Sequence, residues 1–352
     1  MKTIHLEPKE YQPQPPSKKE YGIGIIGCGG IVRGAHLPAY RQFGYRVVAC
    51  CDIDPAAVQR AQSEYDIPFA TQSAAKLAAR PEVEIIDLAV HASQRRAVME
   101  QIASAGKPIL SQKPFALNYA DARAMVDLCA RHGVTLMINQ QARWAPAHRA
   151  IKVLIERGIL GHVYSVVLVN RSSQDHPGTW YVALKDFNII DHGIHYLDLT
   201  RYFTGRTPLR VKATTTMVPG QAAVSPMTFI ISLEYEPEAN MMAAVHFNNI
   251  VQTRAAHRYE WFVDGTEGSL IGTQQELMVS FKDHPEHRQV FQIQGRWFPD
   301  AFGGSMGELM AAVAERREPA TSGRDNLNSV KIAYAAVESA ATSQAVELSA
   351  IG

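Results

Sequence analysis

A regular alternation of short apolar runs with helical patterns, beginning at Tyr21, constrains the fold of this 352-residue chain more than any other feature. The predicted strands are 21–27, 45–51, 84–90, 108–111 and 134–139, and the predicted helices are about 34–43, 55–65, 93–105 and 119–131. The strands are almost continuously apolar, which is typical of strands buried on both faces. Their alternation with helices indicates an α/β domain built on a doubly wound parallel sheet.

The pattern changes near Arg143, where the strands lengthen and apolar residues alternate with polar ones. A helix is predicted at about 146–157, strands at 163–171, 209–217, 227–236, 240–248 and 258–264, a hairpin turn at 265–268, and helices at about 304–316 and 324–342. Such alternation is typical of antiparallel strands with one covered face. We therefore predict a second, α+β domain with a large, open and mostly antiparallel sheet.

These patterns divide the chain into three parts. Residues 1–20, with four prolines and several charges, are expected to be a mobile arm. Residues 21–142 form the parallel-sheet domain, and residues 143–352 form the α+β domain. The C-terminal helix could pack back on the first domain.

Composition argues against several classes of protein. The formal net charge is +1, so no broad basic surface for nucleic acid or a membrane is expected. No apolar run approaches the roughly 20 residues that span a bilayer, and the polar start does not resemble a signal peptide. The cysteines, Cys28, Cys50, Cys51 and Cys129, match neither a CxxC pair nor a zinc site. We expect a cytoplasmic protein without a metal, whose cysteines are small buried residues.

The first strand runs directly into a glycine-rich turn, Gly27-Cys28-Gly29-Gly30, which is followed by Ile31 and a helix. One glycine permits a tight turn, another lets the backbone approach a pyrophosphate, and the helix N-terminus offers N–H groups to an anion. The full GxGxxG pattern would have glycine or alanine where this chain has Val32. The turn alone fits either a dinucleotide site or a turn without a ligand.

Asp52 favours the dinucleotide site. It follows strand 45–51, where a carboxylate would accept hydrogen bonds from the adenosine ribose and repel a 2′-phosphate. No arginine follows, and Asp54, directly before Pro55, is the better N-cap for helix 55–65. We predict NAD as the cofactor, in preference to NADP.

A second group of candidates lies in the segment Asp191-His192-Gly193-Ile194-His195, which is predicted to be helical. Asp191 and His195 would share a helix face, as would Asp198, which could instead cap or brace the helix. A lone helical histidine is usually structural. However, Gln112-Lys113-Pro114 follows strand 108–111 at the edge where ligands of open α/β sheets bind. The two segments together suggest a reacting centre.

A lysine, a histidine and a carboxylate beside a nicotinamide are suited to the oxidation of an alcohol. His195 could take the hydroxyl proton, because imidazole titrates near neutral pH. Lys113 could hydrogen-bond the same oxygen and stabilise its developing charge, or could itself take the proton. Asp191 would orient His195 or bind a neighbouring hydroxyl.

Four motifs, in this order, make the chain similar to the glucose–fructose oxidoreductase and inositol dehydrogenase family, abbreviated Gfo/Idh/MocA. They are the glycine turn with His36-Leu37-Pro38-Ala39, the run Ala105-Gly106-Lys107 with Gln112-Lys113-Pro114, the run Gln141-Ala142-Arg143-Trp144-Ala145-Pro146, and the segment from Asp191 to Asp198. The resemblance extends from about residue 21 to about residue 348.

The resemblance implies an NAD(P)-binding Rossmann domain and a C-terminal domain whose open sheet lies beside the nicotinamide. The other face of that sheet commonly builds dimers or tetramers. The resemblance places Lys113, Asp191 and His195 at catalytic positions. The residues expected at the cofactor are Gly27, Gly29, Gly30, Ile31, Asp52, Gln112 and Lys113.

Three departures from the family pattern put its usual substrates in doubt. Gln112 replaces the usual glutamate beside Lys113 and removes a charge. His91 and Arg95 stand where a proline and a histidine are common, and Arg95 is expected on the surface of its helix. Gln141-Ala142 replaces a stretch that usually carries an aromatic residue.

The segment 171–190 is predicted to line the substrate pocket. Its aromatic and hydrogen-bonding side chains suit a polyol or a pyranose ring, although any one of them could simply cover a loop. The basic residues could also bind an anionic substituent. The candidates are Arg171, Gln174, Asp175, His176, Trp180, Tyr181, Lys185 and Asn188.

The leading hypothesis is an NAD-dependent dehydrogenase that acts on a sugar, glycoside or polyol. The alternative is an NAD-dependent glycosidase or lyase, which oxidises a sugar at C3 transiently, eliminates the C1 group and regenerates NAD, with Tyr181 as an extra base. A sensor that binds the cofactor without catalysis would need neither Lys113 nor His195. The expected partners are a small-molecule sugar or glycoside and further copies of the chain, as a homodimer or homotetramer through the C-terminal sheet.

Overall fold

The structure is a computed structural model that describes residues 3–352. Its strands are β1 (Gly22–Ile26), β2 (Arg46–Cys51), β3 (Phe69–Thr71), β4 (Ile85–Leu88), β5 (Ile109–Gln112), β6 (Leu136–Asn139), β7 (Val163–Arg171), β8 (Arg210–Thr216), β9 (Thr228–Glu234), β10 (Met242–Asn248), β11 (Arg258–Gly265), β12 (Gly268–Gly272), β13 (Glu276–Phe281), β14 (His284–Gln292) and β15 (Val346–Glu347). Its α-helices are α1 (Pro8–Tyr11), α2 (Leu37–Phe43), α3 (Pro55–Tyr65), α4 (Ala74–Ala78), α5 (Ala92–Ile102), α6 (Tyr119–Arg131), α7 (Pro146–Glu156), α8 (Ile194–Thr204), α9 (Asp300–Glu315) and α10 (Gly323–Thr342).

Shorter helical segments lie between these elements. Val32–His36 and Asn188–Gly193 are π-helical and lead into α2 and α8. Turns of 3₁₀ helix are Ala103–Ala105, Gln141–Trp144, Trp180–Ala183, Pro237–Ala239, Arg254–Ala256 and Leu348–Ala350.

The chain folds into two compact units, each assembled from separate stretches of sequence. The parallel-sheet unit comprises Pro13–Ala145 and Arg296–Leu327. The open-sheet unit comprises 3–12, Pro146–Gly295 and Asn328–Gly352. The change of unit at Ala145 lies close to the boundary expected at residue 142, but the return of Arg296–Leu327 to the first unit differs from the expected division.

The parallel-sheet unit contains six strands in the order β3-β2-β1-β4-β5-β6, and all neighbours are parallel. This is the strand order of a Rossmann fold. Every residue of β1, β4, β5 and β6 is buried, which explains why the sequence of these strands is almost continuously apolar. The predicted doubly wound α/β domain is confirmed, with β3 and α4 as additional short elements.

Helix α9 completes the core of the parallel-sheet unit, although it follows the open sheet in sequence. Phe302, Met306 and Leu309 are buried in the same apolar cluster as Ile23 of β1 and Tyr40 of α2. Nearly every residue from Ala301 to Ala312 is buried, so this helix needs packing partners around most of its circumference. The sequence assigned residues 304–316 to the second domain, because the period of a helix does not reveal which core it enters.

The open-sheet unit contains nine strands in the order β14-β13-β12-β11-β7-β10-β9-β8-β15. All neighbours are antiparallel except β7 and β10. Burial alternates along β7, β9 and β10, as the sequence pattern predicted. The open, mostly antiparallel sheet and the hairpin turn at 265–268 are confirmed, whereas β13, β14 and β15 were not predicted. Strand β14 is an edge strand of mostly exposed polar residues and carries no apolar alternation.

Residues 3–12 are packed against the open-sheet unit and differ from the arm expected from the sequence. The Tyr11 side chain is 2% exposed, and its hydroxyl accepts a hydrogen bond from the Gln294 N–H. Arg149 and Arg157 donate to the carbonyls of Tyr11 and His5, at 2.9 and 2.7 Å. Two arginine side chains and one buried aromatic ring therefore hold a segment whose composition is typical of disorder.

Neither a membrane span nor a disulfide is found in the described part of the chain. No helix within residues 3–352 is long and apolar enough to cross a bilayer. All four cysteines are buried thiols.

Candidate functional site

The turn after β1 is shaped by glycine. Gly27 has a φ of 100°, and a Cβ there would lie 2.7 Å from the carbonyl carbon of Ala89, so only glycine fits. A Cβ at Gly29 or Gly30 would meet no atom within 4 Å. The turn therefore has open space beside its backbone, as the approach of a pyrophosphate requires.

The helix after this turn begins in π-helical form. The Leu37 N–H bonds to the carbonyl of Val32, five residues earlier, and α2 starts only at Leu37. Val32, the departure from the glycine pattern, is fully buried, whereas Ile31 is 38% exposed. The Val32 side chain is thus accommodated in the interior, on the helix that follows the turn.

Asp52 lies at the carboxyl end of β2 and contacts the glycine turn directly. Its Oδ2 accepts a hydrogen bond from the Cys28 N–H at 2.7 Å, and its Oδ1 accepts one from the Asp54 N–H at 3.0 Å. A carboxylate has about four lone-pair positions, so it can also accept from ribose hydroxyls. Asp54 caps α3 through the Ala56 N–H at 2.9 Å, as the sequence suggested. Together with the open turn, these residues fit a dinucleotide.

Lys113 directly follows β5, at the carboxyl edge of the parallel sheet. The chain then passes through a cis Lys113–Pro114 peptide bond to Phe115, which is 1% exposed. Phe115 thereby anchors one side of the turn in the core, while Lys113 itself is half-buried. Ligands of open α/β sheets bind at this edge.

Arg95 holds the turn after Lys113, which corrects the expectation that it lies on a helix surface. The side chain is 1% exposed. Its guanidinium donates to the carbonyl of Val90 at 2.7 Å, to that of Phe115 at 3.0 Å, and to that of Pro114. Arginine carries five donors in a planar fork, so one side chain can connect the loops after β4 and β5.

Buried amide side chains line the carboxyl ends of β5 and β6. Gln112 is paired with Asn139 across the two strands, and Gln140 and Gln141 follow in sequence. All four are at most 5% exposed. Within residues 3–352, no hydrogen-bond partner is present for Gln112 Oε1 or for either amide atom of Asn139 and Gln140. Buried amides require partners, so this edge has hydrogen-bonding capacity for a ligand or for water. A run of polar residues directly after an apolar strand was the sequence signal for this group.

The segment that carries Asp191 and His195 is not one regular helix. Asp191 lies in the π-helical segment, and His195 lies in the first turn of α8. Both residues are nearly buried, at 7% and 9% exposure of the whole residue. A Cβ at Gly193 would lie 2.9 Å from Phe229 Cζ, so glycine permits close packing at the junction. The i, i+4 spacing was correct in sequence, but the α-helical geometry assumed for it was not.

Asp198 braces α8 and lies away from solvent. Its carboxylate is fully buried and accepts a hydrogen bond from Ser329 Oγ at 2.6 Å. Arg201 Nη1 lies 3.8 Å from the same oxygen. Of the two roles considered for Asp198, the structure supports the structural one.

A buried network of amides fixes the side chain of His192. His192 was not among the site residues predicted from the sequence. Asn249 Nδ2 lies 2.8 Å from His192 Nδ1 and 2.7 Å from Asn188 Oδ1. On its other side, Asn249 Oδ1 accepts from Ser172 Oγ at 2.6 Å and from Asn170 Nδ2 at 2.9 Å. The only sequence signal for Asn249 was its position directly after an apolar strand.

Tyr196 sets the direction of this network. Burial raises the pKa of its phenol well above the usual range, so the hydroxyl keeps its proton. That hydroxyl lies 3.5 Å from Asn170 Oδ1 and donates toward it. Asn170 therefore directs its NH₂ group at Asn249 Oδ1, and the Asn249 NH₂ group is directed at Asn188 and His192.

Aromatic rings connect His192 with the surface. Phe187 packs edge-on against His192, with ring centroids 4.6 Å apart, and Tyr181 stacks on Phe187 at 4.6 Å. Trp180 contacts both rings edge-on and remains 58% exposed. The Tyr181 hydroxyl donates to the Gln174 carbonyl at 2.9 Å. Of the candidate substrate residues, Trp180 and Tyr181 thus lie in one cluster with His192.

The other candidate substrate residues have different surroundings from those of Trp180 and Tyr181. Arg171 lies on the opposite face of the sheet from Asn170. His246 is on the same face as Arg171, and its pKa is lowered first by its own burial and then by the positive charge of Arg171. Asn188 is fully buried inside the amide network. Asp175 accepts hydrogen bonds from the backbone N–H groups of residues 222 and 223, which is a loop contact. His176 and Lys185 have exposed side chains in the same segment.

No metal site accompanies these groups in the described chain. Within residues 3–352, no three His, Cys, Asp or Glu side chains are grouped so that they could hold an ion.

Comparison with known families matches both units. Residues 21–140 match the profile described as "Oxidoreductase family, NAD-binding Rossmann fold". Residues 148–271 match the profile described as "GFO/IDH/MocA C-terminal domain".

Several known proteins are similar over nearly the whole chain. D-apiose dehydrogenase of Paraburkholderia graminis is 30% identical over 344 residues, which cover 95% of this chain and 91% of that protein. Inositol 2-dehydrogenase of Rhizobium meliloti is 23% identical, with coverages of 93% and 98%. The structure of an oxidoreductase from Agrobacterium radiobacter in complex with NAD⁺, L-tartaric acid and magnesium superimposes with a TM-score of 0.84 at 26% identity, covering 95% of this chain and 100% of that one.

Proposed function

The chain belongs to the Gfo/Idh/MocA family of NAD-binding oxidoreductases, and from this premise we propose that it transfers a hydride between NAD and a secondary alcohol of a sugar or polyol. The observation that carries this proposal is the position of Lys113, directly at the carboxyl end of β5 in an NAD-binding parallel sheet. A cation at that edge is suited to an oxygen that gains negative charge.

NAD supplies the hydride acceptor when it is bound. The pyrophosphate of NAD would lie against the backbone of the glycine turn, which has open space at Gly29 and Gly30. The residues of this turn are Gly27, Gly29, Gly30 and Ile31. Asp52 would accept hydrogen bonds from the ribose, and its charge disfavours the 2′-phosphate of NADP. Gln112, whose buried Oε1 has no partner within residues 3–352, would accept a hydrogen bond from the nicotinamide carboxamide.

The substitution Asp52→Asn is expected to reduce the preference for NAD over NADP by about tenfold, because it removes the charge that repels the 2′-phosphate. The asparagine oxygen can still accept from the Cys28 N–H, so the turn is retained. Dissociation constants of NAD⁺ and NADP⁺, measured by calorimetry, give the ratio. Asp54→Asn is the matched control, since that exposed carboxylate caps α3. Equal ratios in wild type and Asp52→Asn would remove Asp52 from cofactor selection.

Lys113 and His195 handle the proton in the proposed reaction. As the hydride leaves the carbon, the hydroxyl oxygen must lose its proton to a base. His195 is one acceptor, with Lys113 donating a hydrogen bond to the same oxygen; in the other arrangement Lys113 takes the proton. Asp191 lies in the segment directly before His195 and accepts a hydrogen bond from the substrate or orients the histidine.

The proposed substrate class is a neutral polyhydroxy compound. Relatives named D-apiose dehydrogenase and inositol 2-dehydrogenase act on molecules of this kind. The exposed ring of Trp180, which leads through Tyr181 and Phe187 toward His192, offers the apolar platform that sugar faces stack on. His176 and Lys185, whose side chains are exposed in the same segment, remain candidate substrate contacts.

The experiment that tests the function follows two signals from the same mixture. Purified protein is incubated with NAD⁺ and a panel of pentoses, hexoses, cyclitols and aryl glycosides, while NADH absorbance and aglycone release are recorded. We expect NADH formation without aglycone release. Aglycone release without net NADH would instead establish redox-assisted glycoside cleavage, and neither signal with any compound would contradict both activities.

We also infer a homo-oligomer that assembles through the outward face of the open sheet, and a cytoplasmic location consistent with four buried thiols. Ile230, Met242, Ile271 and Val290 are 54%, 54%, 38% and 47% exposed on strands of this sheet. Several exposed apolar side chains on one sheet favour an interface between subunits. His246 and Arg171 lie on the same face.

Ile230→Lys is expected to shift the protein from a dimer or tetramer to a monomer, because the ammonium would be buried in the interface without a partner. Light scattering after size-exclusion chromatography measures the mass. Val224→Lys, a change at a 57% exposed apolar residue outside the strands, serves as the control. A wild-type monomer at micromolar concentration would contradict this inference.

A further inference from the structure

His192 is held in a single tautomer. The Asn249 NH₂ group faces His192 Nδ1 at 2.8 Å, and an NH₂ group can only donate, so Nδ1 is the acceptor. In a neutral imidazole the other nitrogen then carries the proton. The network around Asn249 therefore assigns the ring proton to His192 Nε2, where it serves as a hydrogen-bond donor.

The ring of His192 is both fixed and accessible. Phe187 packs against it edge-on at 4.6 Å, and Tyr181 lies 6.1 Å away. Its side chain nevertheless remains 28% exposed, whereas that of Asp191 is 10% exposed. A side chain oriented by a buried network, yet open to solvent, is prearranged to bind a ligand.

The spacing between His192 and Asp191 is suited to one bridging oxygen. His192 Nε2 lies 3.9 Å from Asp191 Oδ1, which is longer than a hydrogen bond between the two groups. An oxygen placed at about 2.8 Å from each atom would be at normal hydrogen-bonding distance from both. One of the two groups donates a proton and the other accepts one.

We propose that His192 and Asp191 form a clamp for one hydroxyl group of the substrate, and that Asn249 is the positioning residue of this clamp. The hydroxyl donates its proton to Asp191 and accepts the proton of His192 Nε2. This inference rests on the proposed function and adds a specificity-determining residue to it.

The clamp defines the chemistry of the group that it accepts. A carbonyl or ether oxygen at this position could accept from His192 but could not donate to Asp191. A carboxylate or phosphate would place its negative charge against that of Asp191. The clamp therefore selects a neutral substrate with a hydroxyl at this position, and it disfavours the deoxy analogue, which offers neither a donor to Asp191 nor an acceptor to His192.

The test compares the best substrate with each of its monodeoxy analogues. His192→Phe keeps an aromatic ring beside Phe187 and removes the donor. It is expected to lower kcat/KM for the parent compound by about 10- to 100-fold. For the deoxy analogue that lacks the clamped hydroxyl, the same substitution should lower kcat/KM by less than about threefold, because the interaction is already absent. An equal loss for the parent and for all analogues would overturn the clamp.

Further variants separate positioning from folding. His192→Gln, whose amide can still donate, should recover part of the loss. Asn249→Leu should act in the same direction, mainly by raising KM, and the ¹⁵N resonances of His192 should lose their single-tautomer pattern. If those resonances show Nδ1–H in the wild type, the assignment of the donor is wrong. His284→Phe, at an exposed histidine of β14, should change nothing.

Failure of the proposed function gives a different result from failure of the clamp. If no sugar or polyol is oxidised, binding of the same panel to the NADH-loaded protein is measured by saturation-transfer NMR. Binding that weakens at least tenfold in His192→Phe would support the clamp without the reaction. Binding that is unchanged by His192→Phe, or absent for every compound, would overturn the clamp.

Discussion

Replacement of Lys113 by methionine is expected to lower kcat/KM for the sugar substrate by about 10³-fold, because it removes a positive charge at the oxygen that loses its proton. Methionine has a similar length, so the packing of the turn between β5 and Phe115 should be retained. Steady-state kinetics give the loss, and calorimetry of NAD⁺ binding shows how much of it arises from the cofactor. We expect a change of NAD⁺ affinity that is small beside the loss of turnover.

A lysine that flanks the other end of β5 provides the matched control. Lys107 lies just before β5, at the opposite end of the strand from Lys113, and its Nζ donates to the carbonyl of Arg80. Burial lowers the pKa of Lys107, so this lysine also has a partly desolvated environment. Lys107→Met should leave kcat/KM within about twofold. Full turnover by a folded Lys113→Met enzyme would eliminate Lys113 from the reaction.

Arg95→Ala is expected to lower the free energy of unfolding of the parallel-sheet unit by about 3 kcal/mol or more, because three carbonyls would lose their donor. Those of Val90, Pro114 and Phe115 all accept from this one guanidinium. The truncation would also leave a cavity at a side chain that is 1% exposed. Urea unfolding and the shift in Tm measure the loss.

The next residue on the same helix is the control for this prediction. Arg96 forms ion pairs with Glu100 at 3.1 Å and Asp121 at 2.6 Å, but its side chain is 50% exposed. Exposed pairs of this kind contribute little to stability, because water screens the two charges. Arg96→Ala should therefore be almost neutral. If the two arginine variants unfold alike, the bracing of the Lys113 turn by Arg95 is not important for stability. Arg95→Lys, which keeps the charge but has fewer donors, should fall between the wild type and Arg95→Ala.

Features that depend on neighbouring residues in the chain were predictable. The glycine turn, Asp52 after β2 and the Asp54 cap of α3 each follow from residue types at fixed short spacings, and the structure contains all three. The period of the apolar residues likewise distinguished buried parallel strands from half-covered antiparallel ones. Edge strand β14 was missed because most of its side chains are exposed, so it has no apolar period.

Features that depend on distant partners were not predictable. Asp87 lies in the middle of β4 and is fully buried, where its carboxylate accepts from Tyr40 and pairs with His36 at 2.7 Å. Burial, with Asp87 beside it, raises the pKa of Tyr40. Nothing local distinguishes this aspartate from one at a strand end. Arg95 is a similar case, because its acceptors lie 5, 19 and 20 residues away.

The sequence by itself determined the class of fold, the cofactor turn and the order in which candidate groups follow the strands, because hydrophobic period and turn chemistry act over a few residues. Only the tertiary structure decided that α9 enters the core of the parallel-sheet unit, that Arg171 lies on the opposite face from Asn170, and that Asn249 orients His192. Each of these depends on burial and on hydrogen bonds between segments far apart in the chain. The free energy of such contacts is defined only when the partner is in place.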